Sequence, residues 1–296
     1  MIKLSGLIPA VFTPFDKSGA INLPQIRPYA DKLAADGADG VFVCGSTGEC
    51  TSMTVAERKS VLEAWVKAAA GRMRVIAHVG GTCQADCIEL ARHAAGQGVD
   101  AVGAIAPFYF KPASVEELVD FYKPIAAAVD PIPFYTYHMP SVTGVNLPMK
   151  EFLEKGSRVI PNLNGIKFTS NNFMEMLECI RLENGRFDIL NGFDEMLLCG
   201  MAAGARGGVG STYNYSLSTY RNLYDAFLAG DIERARAFQQ DIVHVIIRHG
   251  GGVRGGKAIM NHLGIDCGDC RLPFAPYTES EMHQLGEELD RIGFAK

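Results

Sequence analysis

One lysine in this chain stands where lysines are seldom found. Gly165-Ile166-Lys167-Phe168-Thr169 sets Lys167 inside a short apolar run, and lysine is among the residues least often buried. Burial disfavours the charged ammonium form, and an uncharged amine is a nucleophile suited to imine formation with a ketone. A lysine paired with a buried carboxylate is the other reading of the same segment. Lys59, Lys67, Lys123 and Lys155 differ, lying among polar residues in helical stretches. A second chemistry-bearing run is Tyr135-Thr136-Tyr137-His138-Met139-Pro140. Tyr135 and Tyr137 share one side of a strand by its period of two, and His138 faces the other way as a satisfied structural histidine. A tyrosine at the edge of a pocket can relay a proton; it can equally be an amphipathic residue at the margin of a core. A third run, Gly45-Ser46-Thr47-Gly48-Glu49, joins glycines that permit a tight turn to two hydroxyls. Such a turn is either a nest for a small carboxylate or phosphate, or a capped turn.

These residues need a scaffold that brings them together. Eight short apolar runs recur along the chain: Leu7–Thr13, Gly40–Cys44, Arg74–Val79, Ala101–Ala106, Pro133–His138, Gly165–Phe168, Phe187–Asn191 and Gly207–Gly210. They lack strict polar alternation, as parallel strands buried on both faces do. Helical stretches separate them. In Thr54–Ala70, Val55, Val61, Leu62, Trp65 and Val66 share one face, and Thr54 with Glu57 forms a capping-box pattern. The others are Pro24–Asp36, Cys83–Gln97, Ser114–Val129, Pro148–Lys155, Phe173–Glu183, Glu195–Ala203 and Ser216–Leu228. Eight strand–helix pairs are the count of an α/β chain closed as a (β/α)8 TIM barrel. An open doubly wound sheet usually has fewer strands and an early glycine-rich dinucleotide turn, which is absent. The expected division is residues 1–230 as the barrel and residues 231–296 as C-terminal helices packed on it, in a single structural unit. Asp231–His249 and Glu279–Gly293 are the clearest of those helices.

Bulk properties narrow the function. Of 296 residues, 48% are apolar, enough for a substantial core. The formal net charge is −5 with no basic block, which gives nucleic-acid binding no support. No apolar run approaches the roughly 18 residues of a membrane span. The start, Met1-Ile-Lys-Leu-Ser-Gly, lacks the apolar stretch of a signal peptide, so a cytoplasmic protein is expected. Cys44, Cys179 and Cys199, among eight cysteines, sit in apolar segments as small core residues do. Cys267-Gly-Asp-Cys270 has no second such pair, and only His262 is near, so a turn is preferred to a metal or redox pair.

Barrel active sites lie at the C-terminal ends of the strands. There the last two strands run into Asn191-Gly192-Phe193-Asp194-Glu195 and Gly210-Ser211-Thr212-Tyr213-Asn214, both suited to a hydroxylated ligand. Gly204-Ala-Arg-Gly-Gly-Val-Gly210 lacks the Gly-Lys-Ser/Thr ending of a phosphate loop and reads as close strand packing. The Gly250–Gly256 stretch suggests no specific function.

Gly45-Ser-Thr-Gly-Glu49, Tyr137-x-x-Pro140 and Gly165-Ile-Lys-x-Thr169, in that order and after those strands, resemble the N-acetylneuraminate lyase / dihydrodipicolinate synthase superfamily. The likeness runs from Gly6–Phe15 to Arg271–Phe274. It implies a Schiff-base pyruvate aldolase with Lys167 as the imine-forming residue and Tyr137 as the proton carrier. Ser46 and Thr47 would hold the substrate carboxylate, and Thr169, Gly192, Asp194, Glu195 and Ser211 would meet its tail. Neither a metal nor an organic cofactor is implied, and the assembly implied is a homotetramer. Tyr137-His-Met-Pro-Ser-Val-Thr-Gly144, the segments after strands seven and eight, and Lys257-Ala-Ile-Met260 are similar to the lyase members. Synthase members typically carry an arginine where Val142 stands. The activity implied is reversible cleavage of N-acetylneuraminate to pyruvate and N-acetylmannosamine. The alternatives are 2-keto-3-deoxy sugar acid aldolases, hydratase-aldolases, a non-catalytic ligand-binding protein and a phosphate-binding barrel enzyme. The chain departs from the superfamily at Phe108-Tyr109-Phe110, where Phe110 takes the place of a tyrosine that reaches a neighbouring subunit's site. Either the relay is lost or Tyr109 or water replaces it.

Overall fold

A computed structural model describes residues 3–249 and 251–294. Eight strands are present: β1 Gly6–Pro9, β2 Gly40–Val43, β3 Arg74–His78, β4 Ala101–Ile105, β5 Phe134–His138, β6 Leu163–Phe168, β7 Asp188–Asn191 and β8 Gly207–Gly210. The helices are α1 Ile26–Ala35, α2 Val55–Ala69, α3 Gln84–Gly96, α4 Val115–Ala127, α5 Pro140–Thr143, α6 Met149–Gly156, α7 Phe173–Arg181, α8 Leu197–Ala203, α9 Tyr213–Leu228, α10 Ile232–His249, α11 Gly252–His262 and α12 Glu279–Arg291. All strand pairings are parallel, in the order β1-β8-β7-β6-β5-β4-β3-β2. The ends of that order meet, since Ala10 bridges Phe42 in parallel and Val11 N donates to Phe42 O at 3.2 Å. The fold is a (β/α)8 barrel with additional C-terminal helices.

Alternation along each strand sorts the side chains into two apolar layers. Ile8, Phe42, Ile105, Tyr135, Leu190 and Val209 fill the barrel interior. Val41, Val43, Phe134, Ile166 and Phe168 face outward with the helices, among them Trp65 of α2, Tyr122 of α4 and Phe152 of α6. Ile166 and Phe168 therefore turn Lys167 inward. The capping box of α2 forms as its sequence requires: Thr54 N donates to Glu57 Oε2 at 2.8 Å and Glu57 N to Thr54 Oγ1 at 3.2 Å. The glycines of the eighth strand serve close packing. A Cβ on Gly207 would lie 2.5 Å from Gly6 O, and one on Gly210 2.4 Å from the Asp194 Cβ.

Two expectations need correction, and one stretch left without a reading gains a structure. Gly250 lies outside the described residues, but the rest of the glycine-rich stretch opens helix α11. Glycine's weak helix preference hid that helix, while contact demands the glycine, because a Cβ on Gly256 would meet the Phe12 ring at 2.3 Å. Cys199 is exposed rather than in the core: Leu197, Gly200 and Met201 carry the buried face of α8, and position 199 falls off it. His138 is buried against Phe168, but among the described residues its Nε2 has no hydrogen-bond partner, so it is structural without being fully satisfied.

Candidate active site

A cavity of about 250 Å³ opens at the C-terminal ends of the strands. Its walls include every residue singled out from the sequence for chemistry or binding: Ser46, Thr47, Tyr137, Lys167, Thr169, Gly192, Asp194, Glu195 and Ser211. They come from the ends of β2, β5, β6, β7 and β8.

Lys167 and Tyr137 are register partners on adjacent strands. The lysine is 5% exposed, and its Nζ sits 3.8 Å from the centroid of the Tyr137 ring and 4.7 Å from that of Phe42. Among the described residues no carboxylate forms an ion pair with it, so the reading as one half of a buried pair does not hold. Aromatic faces stabilise its cation but donate nothing and accept no proton. The two tyrosines of β5 separate by function. Tyr135 OH donates to Asp188 Oδ2 at 2.8 Å and accepts from Asn164 Nδ2 at 2.6 Å, deep in the barrel. Burial, with the Asp188 charge beside it, holds its phenol well above the usual range. Among the described residues Tyr137 OH meets only the Met139 thioether, at 3.0 Å, a weak acceptor that leaves the hydroxyl ready for a better partner. His138, on the outer side, is pushed down to about 4 by burial.

The turn after β2 is tight because Gly45 passes over Phe42, where a Cβ would lie 2.6 Å from the ring. Glu49 N donates to Ser46 O at 3.0 Å and Cys50 N to Gly45 O at 3.3 Å. Among the described residues neither the Ser46 nor the Thr47 hydroxyl has a partner within the chain, and both line the cavity. The pair is suited to hold an anionic group by hydroxyls and backbone N–H groups.

Opposite lies a polar wall. Among the described residues Thr169 Oγ1 is buried without a hydrogen-bond partner, and Gly192 must lack a Cβ because one would lie 1.9 Å from that oxygen. Asp194 is held by Thr212, whose N and Oγ1 each donate to Asp194 Oδ2 at 2.6 Å. Burial first, and the neighbouring Asp194 charge second, push the Glu195 carboxyl up to about 7. At neutral pH it can both donate and accept, a property suited to hydroxyls.

Sequence reasoning missed part of this cavity. Met139 and Thr212 adjoin residues it did name. Ile246 of α10 and Gly251, Gly252 and Val253 at the start of α11 reach the cavity only through tertiary packing. A second buried lysine was also missed. Lys257 is 1% exposed and lies 2.7 Å from Glu49 Oε1. Tyr109 and Phe110 pack edge to face at 5.0 Å but are 77% and 86% exposed, and neither lines the cavity of its own chain. Cys267 and Cys270 are free thiols that burial pushes up to about 12. Among the described residues no group of three or more His, Cys, Asp or Glu is placed to hold a metal ion, and no helix is long and apolar enough to cross a membrane.

Residues 3–292 match the profile of the dihydrodipicolinate synthetase family. The N-acetylneuraminate lyase of Mus musculus is 38% identical, the alignment covering 99% of this chain and 93% of that one. The solved N-acetylneuraminate lyase of Proteus mirabilis superposes with a TM-score of 0.94 at 39% identity, covering 99% of this chain and all of that one. The N-acetylneuraminate lyase (sialic acid aldolase) of Aliivibrio salmonicida superposes with a TM-score of 0.95 at 39% identity, covering 100% and 99%.

Proposed function

This chain belongs to the dihydrodipicolinate synthetase family, and from that premise we propose that it is a sialic acid aldolase working through an imine on Lys167. It is a lyase, cleaving N-acetylneuraminate reversibly to pyruvate and N-acetylmannosamine. The observation that carries the mechanism is the Lys167 amine, buried in the cavity with no carboxylate partner among the described residues and flanked by the Tyr137 phenol.

Lys167 Nζ attacks the C2 ketone of the open-chain substrate, and loss of water gives the imine. Protonated, the imine accepts the electron pair of the C3–C4 bond as that bond breaks. As the aldehyde of N-acetylmannosamine forms, Tyr137 takes the proton of the C4 hydroxyl and passes its own phenolic proton to the substrate carboxylate. The enamine left on Lys167 is protonated at C3, and water releases pyruvate. Ser46 and Thr47 hold the carboxylate throughout. Thr169 Oγ1, Gly192, Asp194, Glu195 and Ser211 meet the polyhydroxylated tail, with Asp194 oriented by Thr212. The chemistry calls on no cofactor beyond the covalent imine. Val142 supports the lyase reading over the synthase one: the position is 63% exposed on α5 and carries no guanidinium for a second carboxylate.

We read residues 1–230 as the barrel and 231–296 as its helical appendage in one unit, and the working protein as a cytoplasmic homotetramer. In it Phe110 supplies no hydroxyl to a neighbouring site, so any relay there falls to Tyr109 or a water. Product profiling tests the substrate. The protein is expected to release pyruvate from N-acetylneuraminate with a kcat/KM at least a hundredfold above that for 2-keto-3-deoxy sugar acids lacking the acetamido group. A reversed preference would contradict the sialic acid assignment.

A further inference from the structure

Lys167 has aromatic rings beside its amine and, among the described residues, no carboxylate in an ion pair with it, whereas the other buried lysine of the cavity region has one. Lys257 Nζ lies 2.7 Å from Glu49 Oε1, both side chains being 1% exposed. That contact is an ion pair without hydrogen-bond geometry; the ammonium donates to Asp269 O at 3.0 Å and lies 4.1 Å from the centroid of the Phe15 ring. The other oxygen, Glu49 Oε2, accepts from Arg271 N at 2.8 Å. One carboxylate thus joins three segments: the turn carrying Ser46 and Thr47, helix α11 and the loop around Asp269 to Arg271.

Two of those segments border the cavity. The turn supplies Ser46 and Thr47, and the start of α11 supplies Gly252 and Val253. Glu49 also sits at φ 56°, a left-handed conformation that disfavours a side chain. From that position its N–H closes the turn onto Ser46 O, while Thr13 Oγ1 donates to Gly48 O at 2.7 Å. Glu49 thus closes the turn that carries Ser46 and Thr47, and its side chain lies against the Lys257 ammonium. A buried ion pair is a weak source of net stability compared with apolar groups of similar shape, so stability alone gives no reason for one here.

We propose that the Glu49–Lys257 ion pair is the positioning device of the carboxylate-binding turn, tuning affinity for the 2-keto acid carboxylate rather than the reactivity of Lys167. The inference rests on the reading of Ser46 and Thr47 as carboxylate holders. Glu49 and Lys257 are positioning residues here, since neither reaches the cavity.

The test uses the intact protein, pyruvate as probe and borohydride to fix the imine, with the adduct followed by mass. The variant is the double substitution Glu49→Gln with Lys257→Met, which removes both charges and keeps both shapes. Its half-saturating pyruvate concentration is expected to rise at least tenfold over wild type, with the same maximal adduct. A structural role alone would lower the maximal adduct or the melting temperature and leave half-saturation unmoved; that result would overturn the proposal. If the double variant does not fold, Lys257→Gln is read in its place. It retains a donor between Glu49 and Asp269 O and is expected to raise half-saturation at least threefold, an unchanged value again overturning the proposal. Wild-type protein that forms no adduct would fail the functional reading and this inference with it. Wild type that traps pyruvate beside a variant with equal half-saturation would fail this inference alone.

Discussion

The Nζ of Lys167 lies 3.8 Å from the centroid of the Tyr137 ring, its register partner on the neighbouring strand, with no acid among the described residues to pair it. The amine is therefore held in place by strand geometry and aromatic packing, not by a counter-ion that substrate would have to displace. Lys167→Ala should reduce cleavage of N-acetylneuraminate by at least ~10⁴-fold, since the covalent route disappears. The variant should still unfold cooperatively, because the lost contact with Tyr137 and Phe42 is of order 1–2 kcal/mol. Steady-state assay and thermal melting check both halves. Turnover near that of wild type would remove Lys167 from the mechanism.

Tyr137 carries its hydroxyl against a thioether, so removing that hydroxyl breaks little that holds the fold. Tyr137→Phe should keep the melting temperature within about 3 °C and lower kcat by roughly 10²–10⁴-fold, the usual worth of a positioned proton carrier. A loss under threefold would assign proton transfer elsewhere, with water as the next candidate.

Glu195 gives the protein a pH signature. Its carboxyl is raised in the folded state from 4.5 to about 7, by burial and then by Asp194. A group raised in this way binds its proton more tightly folded than unfolded. Its stabilising contribution is complete below about 4.5 and is lost as pH rises through about 7. Glu195→Gln is neutral throughout. Its melting temperature should therefore gain on wild type between pH 5 and pH 8, and a constant difference across that range would count against the raised carboxyl.

Gly256 tests how α11 is seated. A Cβ there would lie 2.3 Å from the Phe12 ring, which is itself fully buried. Gly256→Ala should destabilise the protein by about 1–3 kcal/mol through overpacking, despite alanine's better helix propensity. Urea unfolding measures it. Stabilisation would mean that Phe12 yields without cost.

The barrel was legible because strands buried on both faces read as bare apolar runs, and Lys167 was legible as the charge interrupting one of them. That the nine expected residues would lie together in one cavity was legible because they sit at or just beyond the ends of strands that converge. What the sequence hid depends on distant contacts. Lys257 lies in a glycine-rich helix with little helical signature, and its partner Glu49 comes from the other end of the chain. Ile246 and the start of α11 reach the cavity by packing alone. Cys199 has apolar neighbours in sequence, yet the rotation of α8 turns it to solvent. His138 faces outward as its parity requires, but no pattern in the chain reveals that its Nε2 goes unpartnered.

The most direct test of the account is covalent. The protein is incubated with pyruvate, treated with borohydride, digested and examined by mass spectrometry, with a known imine-forming aldolase in parallel. The account predicts one reduced pyruvate adduct, located on Lys167. Folded protein with no adduct, or an adduct on another lysine such as Lys257, would contradict it.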